Sequence, residues 1–257
     1  MKLLLCIAYL GTSYCGYQVQ PNGVTVQQRL CEAARTVFGY ECDIVGCSRT
    51  DSGVHARGFC ATVTKHGENR LTTTIPTDRV PRVFNLSLPP DISVLAAREV
   101  PNEFHARYDV IYKEYEYLFR AGGERDPFLC DRVWQLDRVL DDDAIARMNL
   151  AAQGFVGRRD FSAVRDKNED EKDAVREVFS ASVTRKGELV SFRVSANGFL
   201  YHMVRIMAGT LLAVANGKIE PHTVGERLLS LDRTQFGITA PASGLYLDRV
   251  TYQNVKF

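Results

Sequence analysis

The chain has 257 residues, of which 45% are hydrophobic and 25% are charged, and its formal net charge is +1. This composition is ordinary for a soluble globular protein, no stretch resembles a transmembrane span, and the length fits one or two domains of roughly 100–200 residues each. A net charge near zero argues neither for nor against nucleic-acid binding, because a basic binding face can be balanced by acids elsewhere.

The seven cysteines give no sign of a zinc site. Their number is odd, there is no Cys-x-x-Cys pair, and no His cluster accompanies the closest two, Cys42 and Cys47. We expect reduced cysteines in a cytoplasmic protein that holds no metal. The opening MKLLLCIAYLGTSY has too short an apolar run for a signal peptide and no cleavage site, so we interpret it as a strand.

The first part of the chain alternates strands and helices. A strand over Lys2–Leu10 is followed by a loop rich in Gly, Ser and Tyr. TVQQRLCEAARTVFG predicts a helix, because Thr25 can cap its N-terminus, apolar residues recur at helical spacing and Gly39 can end it. The remaining elements here are two strands, CDIVGCSRT and ARGFCATVTK, a helix over Pro76–Leu86, and a strand, ISVLAAREV.

Beyond Pro101 the pattern starts again. YDVIYKEYEYLFR predicts a long strand, and DDDAIARMNLAAQGFVG a helix with acids in its first turn, where the helix dipole favours them. REVFSASVTRKGELVSFRVSAN predicts two strands joined by a tight turn. FLYHMVRIMAGTLLAVANG predicts a strongly apolar helix closed by Gly217, and GLYLDRVTYQNVKF supplies the final strand.

These elements predict an α+β fold of two similar, α/β-sandwich-like halves joined side by side. Strands joined by short turns must be antiparallel, so the sheets are expected to be mainly antiparallel. We place the N-terminal half at 1–104 and the C-terminal half at 105–257. The charged segment 165–177, RDKNEDEKDAVRE, predicts a mobile surface loop, with an RNA-clamping role as the alternative.

The stretch GCSRTDSGVHARG is the densest in polar chemistry. Asp51 before Ser-Gly is what a plain turn requires, since the carboxylate can bond its own backbone and Gly53 can take a positive φ. Arg49 favours a functional role, because a turn needs no arginine there and arginine binds carboxylates and phosphates through a planar fork. His55 fits either a packed strand histidine or a catalyst.

The C-terminal half offers two further candidates. Tyr115 and Tyr117 share one face of the predicted strand and Tyr112 the other, which fits strand packing as well as stacking on a nucleobase. Arg205 lies in an otherwise apolar helix, where a guanidinium is costly unless it is paired with an acid. We name Asp51 as the candidate partner; exposure of Arg205 at the helix end is the alternative.

Several motifs, in the same order over almost the whole chain, resemble the tRNA pseudouridine synthase A family. YLGTSYCGYQVQ resembles the family's opening Tyr-x-Gly-x-x-Tyr-x-Gly-aromatic-Gln segment, and GCSRTDSGVHARG closely matches its Gly-x-Gly-Arg-Thr-Asp-Ala-Gly-Val-His signature. FNLSLPPDISV, FHARYDVIYKEYEY, DFSAV, NGFLYHMVRIMAGTLLAVANG and APASGLYLDRVTY follow in the family's order. The resemblance implies the pseudouridine synthase fold, with an active-site cleft between the two halves.

The resemblance also implies the site residues. Asp51 would be the catalytic acid, Tyr115 would stack on the target uracil, and Arg205 would pair with Asp51. Arg49 would help to displace the target nucleotide, and Leu245 and Tyr246, in the GLYL motif, would close the base pocket. The chain departs from the family's usual residues at Tyr17, Cys47, Ser48, Ser52, Glu114 and Val164.

The implied activity is isomerisation of uridine to pseudouridine in the anticodon stem-loop of tRNA, at positions 38, 39 and 40. The implied enzyme is a cytoplasmic homodimer with tRNA as its partner and no membrane association. Because this reaction transfers no electrons and loses no group, neither a redox cofactor nor a metal is expected. Two rival functions are an RNA-binding protein without catalysis and a nucleoside hydrolase that uses Asp51 and His55 as an acid–base pair.

Overall fold

The computed structural model describes residues 1–166 and 173–257. Within them the chain forms two compact units, one made of Met1–Ile111 with Tyr246–Phe257 and the other of Tyr112–Leu245. The last strand therefore groups with the N-terminal part of the chain. The functional halves drawn at 1–104 and 105–257 stay a prediction.

The first unit is built on a mainly antiparallel sheet. In chain order its elements are β1 (Lys2–Tyr9), α1 (Val26–Phe38), β2 (Cys42–Gly46), β3 (His55–Lys65), α2 (Val80–Asn85), β4 (Ile92–Val100) and, after the second unit, β10 (Leu245–Tyr252). Strand β1 lies antiparallel between β4 and β3, and β2 pairs antiparallel with β3. Strand β10 runs parallel to β3, with Tyr246 opposite His55.

Helix α1 shows how local sequence signals fix an element. Thr25 Oγ1 accepts the backbone N–H of Gln28 at 3.2 Å, and Gly39 adopts φ = 78° with its N–H bonded to Arg35 O at 2.9 Å. Both predicted ends are confirmed. The buried residues of this helix recur at helical spacing, and each fully buried Val or Leu side chain contributes about 1.5–3 kcal/mol; they are Val26, Leu30, Ala33 and Ala34.

The second unit has a sheet and helices of its own. In chain order its elements are β5 (Val110–Ala121), β6 (Trp134–Leu136), α3 (Asp142–Gln153), β7 (Gly157–Asp160), β8 (Val175–Lys186), β9 (Leu189–Ala196), α4 (Met203–Ala215) and α5 (Val224–Arg227). Strands β7, β8, β9 and β5 follow one another in antiparallel pairs, and β6 runs parallel to β5. The predicted α+β class with mainly antiparallel strands is confirmed.

Several predicted bounds in this unit are wrong, among them the end of α3, which the sequence places at Gly157 and the structure at Gln153. Helix α4 begins at Met203 rather than Phe199, because His202 adopts a left-handed backbone conformation (φ = 60°, ψ = 3°) that a helix cannot contain. The predicted loop 165–177 runs into β8, since that strand begins at Val175. Residues 167–172 of the predicted loop lie outside the described residues.

Candidate active site

The Asp51 turn is present as the sequence predicts. Val54 N–H donates to Asp51 O at 3.1 Å, and Gly53 between them has φ = 80°, which only glycine adopts without strain. Asp51 is half-buried. The neighbouring Thr50 is buried, with its Oγ1 2.8 Å from the hydroxyl of Tyr9 on β1, so the start of the turn is fixed to the sheet.

The loop between β1 and α1 holds this turn by backbone contacts. Tyr17 N–H donates to Thr50 O at 3.1 Å, and Ser52 Oγ donates to Tyr14 O at 3.1 Å. Gly11 lies so close to the turn that a Cβ on it would be 1.9 Å from Val54 O. The loop and the turn therefore form one rigid piece that sets the position of the Asp51 carboxylate.

His55, at the start of β3, is fully buried. Its Nδ1 accepts the backbone N–H of Gly11 at 3.0 Å, and its ring stacks on Tyr246 with centroids 4.7 Å apart. Because Nδ1 accepts this bond, that nitrogen is not free to act as a base, which favours the packing interpretation of His55. The Arg57 guanidinium lies over the Tyr246 ring, 4.1 Å from its centroid. Its Nη1 also forms an ion pair with Asp248 Oδ1 at 2.9 Å.

Arg49 lies in the segment between β2 and the Asp51 turn, and it is exposed. An exposed guanidinium two residues before a half-buried carboxylate is accessible to an anionic ligand that approaches the turn. The position fits the role in nucleotide displacement that the sequence predicts, and that role stays a prediction.

Arg205 lies on α4, most of whose residues are buried, and is itself half-buried. Its Nε donates to Ala240 O at 2.7 Å, and its own carbonyl accepts the N–H of Ala240 at 3.1 Å. This double connection fixes one edge of the guanidinium within the second unit. The predicted pairing with Asp51 stays a prediction.

Tyr115 and Tyr117 are buried on the same strand, β5, two residues apart. Tyr115 is 6% exposed and meets the ring of Phe199 edge-on, with centroids 4.9 Å apart. The hydroxyl of Tyr117 donates to Pro241 O at 2.8 Å. Burial raises the pKa of Tyr117, while the nearby positive charge of Arg205 acts in the opposite direction. The base-stacking role of Tyr115 stays a prediction beside the packing role that its burial supports.

The segment from Gly237 to Leu245 connects these residues. A Cβ on Gly237 would lie 2.3 Å from Gly209 O on α4, and a Cβ on Gly244 would lie 2.6 Å from the Tyr117 ring. Leu245 is buried at the start of β10. One run of chain therefore contacts both the helix of Arg205 and the strand of Tyr115.

The structure thus groups the predicted residues by unit. Asp51 and Arg49 lie two residues apart in the first unit, whereas Tyr115, Arg205 and Leu245 belong to the second. The sequence analysis missed the contacts that hold them in place. The contacting residues that the sequence did not indicate are Tyr9, Gly11, Phe199 and Ala240. For the contact of Gly11 with the Asp51 turn, the closely spaced glycines of GTSYCG were the available signal.

The described residues contain neither a membrane-spanning helix nor a cluster of metal-ligating side chains. In the part of the chain that the structure describes, no helix is long and apolar enough to cross a membrane. Across 1–166 and 173–257, no three His, Cys, Asp or Glu side chains are grouped as metal ligands. The expectation that the reaction needs no metal stays a prediction.

Comparison with known proteins gives full-length matches. A family model described as tRNA pseudouridine synthase matches residues 5–109 and 151–253, ranges that contain Asp51, Arg205 and Leu245 but not Tyr115. Three similar proteins carry the name tRNA pseudouridine synthase A. The one from Thermoanaerobacter sp. (strain X514) is 38% identical over 251 residues, which is 98% of this chain and 99% of that protein.

The second, from Citrifermentans bemidjiense, is 41% identical over 253 residues, 98% of each chain. The third, from Geotalea daltonii, is 39% identical over 251 residues, 98% of this chain and 99% of that protein. A solved chain titled "Crystal Structure of a Cbf5-Nop10-Gar1 Complex" aligns with 95% of this chain and 48% of its own length. Its TM-score of 0.37 and 14% identity are too low to support a conclusion. The matches along the sequence confirm the predicted family, its fold and its class of isomerase activity: the chain belongs to the tRNA pseudouridine synthase family.

Proposed function

We propose that this chain converts uridine to pseudouridine at positions 38, 39 and 40 of the tRNA anticodon stem-loop, with Asp51 as the catalytic residue. The observation that carries the proposal is how the Asp51 turn is held in place. Thr50 bonds to β1, and the loop before α1 contacts the turn through Gly11 and Tyr17. A plain surface turn does not need to be held in place in this way. A catalytic carboxylate must be, because a misplacement of about 1 Å can cost on the order of 100-fold in rate.

The reaction breaks the bond between uracil N1 and ribose C1′ and forms a bond between C5 and C1′. The hydrogen on C5 leaves as a proton and N1 gains one, so atoms and electrons balance without an oxidant or reductant. Asp51 has three possible roles: attack on the sugar, addition to the base, or removal of a sugar proton. In each of them the carboxylate must be ionised when it acts.

We assign Arg205 the role of stabilising that ionised carboxylate, since a neighbouring guanidinium favours the charged form of an acid. Its Nε already donates to Ala240 O at 2.7 Å, so the proposed pairing uses the two terminal nitrogens. Their planar fork matches the two oxygens of a carboxylate. Lysine at this position offers no such fork.

The remaining predicted residues would displace and bind the target nucleotide. The target uridine must leave its stack, at a cost of a few kcal/mol, and Arg49 would lower that cost by holding the backbone or the vacated space. Tyr115 would stack on the detached uracil, an interaction worth about 1–3 kcal/mol, and Leu245 would close the pocket over it. The enzyme would work in the cytoplasm as a homodimer, reading tRNA mainly through phosphate contacts and RNA shape.

The test is to map pseudouridine on tRNA from a strain that lacks the gene, complemented with wild type or with Asp51→Asn. We expect pseudouridine at positions 38–40 to disappear in the deletion, to return with wild type and to stay absent with Asp51→Asn. Loss at other positions would contradict the anticodon assignment. Full restoration by Asp51→Asn would remove Asp51 from the catalytic role.

Two in vitro readouts separate the rival functions. Tritium release from tRNA labelled at uracil C5 marks isomerisation, and a protein that only binds RNA releases none. Free uracil in the reaction would favour the hydrolase. The occupied Nδ1 of His55 supports the synthase over that alternative.

A further inference from the structure

A polar cluster lies at the N-terminus of α4 and has no part in the mechanism proposed above. Its members are Asp166, His202, Arg233 and Thr239, all in the second unit. His202 Nδ1 lies 2.7 Å from Asp166 Oδ2, Thr239 Oγ1 donates to the same oxygen at 3.1 Å, and Arg233 Nε is 3.4 Å from Oδ1. The His202, Arg233 and Asp166 side chains are 16%, 31% and 36% exposed, so these bonds form in partly water-excluded surroundings, where they are stronger.

The charge of Asp166 suits this arrangement. Burial raises the pKa of Asp166, but the hydrogen bonds from His202 and Thr239, together with the charges of His202 and Arg233, outweigh it, and the pKa is lowered from its ordinary value. The carboxylate is therefore ionised at neutral pH and attracts all three donors. This effect supports the geometric argument that follows.

His202 holds a backbone conformation that is unfavourable for a residue with a side chain. Its φ of 60° lies in the left-handed region, which is strained for a residue other than glycine. Such a conformation persists only where the surroundings enforce it. The His202 ring bonds to Asp166 through Nδ1 and stacks on the Tyr201 ring, with centroids 3.7 Å apart. The backbone carbonyl of His202 accepts the N–H of Ile206 at 3.0 Å.

The cluster connects directly to the two pieces of chain that hold Arg205. Arg205 follows His202 by three residues and lies in the first turn of α4, which begins directly after His202. On the other side, Arg233 donates to Gly237 O at 2.7 Å and to Thr239 Oγ1 at 3.1 Å. The next residue, Ala240, is the one whose carbonyl accepts Arg205 Nε.

We propose that His202 and Asp166 are positioning residues for Arg205: their contact fixes the start of α4 against the segment 237–240, and so sets the direction of the guanidinium. Neither side chain needs to touch tRNA. This inference rests on the proposed function, because it gives Arg205 a part in the chemistry.

Three variants test the proposal, with kcat and KM measured by tritium release from tRNA and folding followed by Tm. His202→Gly keeps the left-handed backbone, relieves its strain and removes the ring. We expect kcat to fall about 10-fold or more with KM within about two-fold, and Tm to be unchanged or higher. His202→Asn should recover most of the lost kcat, because asparagine tolerates this conformation and its amide can donate to Asp166.

Asp166→Ala removes the acceptor and leaves residue 202 intact, and we expect the same selective loss of kcat. Asp232→Ala is the matched control: Asp232 is exposed and its carboxylate accepts hydrogen bonds from Thr234, which is not a member of the cluster, so its kcat should equal that of wild type. A purely structural role for His202 predicts that the glycine variant is at least as active as the asparagine variant.

The outcomes separate this inference from the proposed function. Wild-type kcat in His202→Gly or in Asp166→Ala, beside an inactive Arg205→Leu, would overturn the positioning role alone. The positioning role would also fall if His202→Asn were no more active than His202→Gly. A fully active Arg205→Leu would instead overturn the role given to Arg205 in the proposed function.

Discussion

Replacing Gly11 with alanine tests whether the loop before α1 sets the position of Asp51. The added Cβ would lie 1.9 Å from Val54 O, whereas ordinary van der Waals contact begins at 3.4 Å. The loop and the turn must therefore separate by about 1.5 Å, since both contacting groups are backbone and cannot rotate away. That movement also weakens the bond from Gly11 N–H to His55 Nδ1, now 3.0 Å long.

The size of the effect follows from these two losses. Overpacking costs about 1–3 kcal/mol, and a buried acceptor left without its donor costs a further 1–3 kcal/mol or so. We expect Gly11→Ala to lower the free energy of unfolding by roughly 2–6 kcal/mol, and Tm by roughly 4–24 °C. A carboxylate displaced by about 1 Å should lower kcat on the order of 100-fold at temperatures where the variant is folded.

The assay is tritium release from labelled tRNA beside thermal unfolding, with Gly39→Ala as the matched control. Gly39 has φ = 78° and nothing within 4 Å of an added Cβ, so its alanine variant is strained but free of collision with the turn or with any other residue. It should lose about 1–2 kcal/mol of stability and keep its kcat. The reasoning is refuted if folded Gly11→Ala turns over at the wild-type rate, or if Gly39→Ala loses as much activity.

The remaining predictions concern charge. Asp51→Asn should still fold and release no tritium; measurable turnover would show that the carboxylate is not required. Arg205→Leu should lower kcat by about 100-fold with little change in tRNA binding, measured by filter retention, and a normal kcat would contradict the proposed pairing. tRNA binding should weaken at least about tenfold between 50 and 200 mM salt, and a flat salt response would exclude phosphate contacts as its main source. The pKa of Asp166 is lowered on folding, so its ionised carboxylate stabilises the folded state. The Tm of wild type should therefore exceed that of Asp166→Asn at neutral pH, and the difference should disappear as the pH falls below the ordinary value of 3.8. A difference that persists in acid would contradict this assignment.

The elements that the sequence predicts well are those whose signals are local. Helix α1 carries its N-cap at Thr25 and its C-terminal glycine at Gly39, and both act where expected. Strand β4 has the predicted bounds, Ile92–Val100. In contrast, β6 and β7 have only three and four residues, too few for a periodic pattern to distinguish a strand from a loop.

The limits at the site have a different physical origin. The turn at Asp51 is encoded by neighbouring residues, but the contact of Gly11 with Val54 joins backbone atoms more than 40 positions apart. Arg205 and Ala240 lie 35 positions apart, and there the backbone carbonyl of Ala240 accepts the Nε–H of the guanidinium. Backbone carbonyls are present at every position, so composition and periodicity carry no trace of which one a side chain will meet. The sequence does not indicate that α4 begins only at Met203, because a histidine such as His202 rarely adopts a positive φ.

The parallel pairing of β10 with β3 has a consequence for synthesis. The strand that stacks Tyr246 on His55 is translated roughly 190 residues after the histidine, a delay of about 10–40 s at ordinary elongation rates. Throughout that interval the nascent N-terminal segment displays an imidazole and an open strand edge that the mature protein conceals. A ribosome stalled before codon 246 would therefore release a polypeptide that contains the complete GCSRTDSGVHARG stretch without its covering strand, a natural client for chaperones.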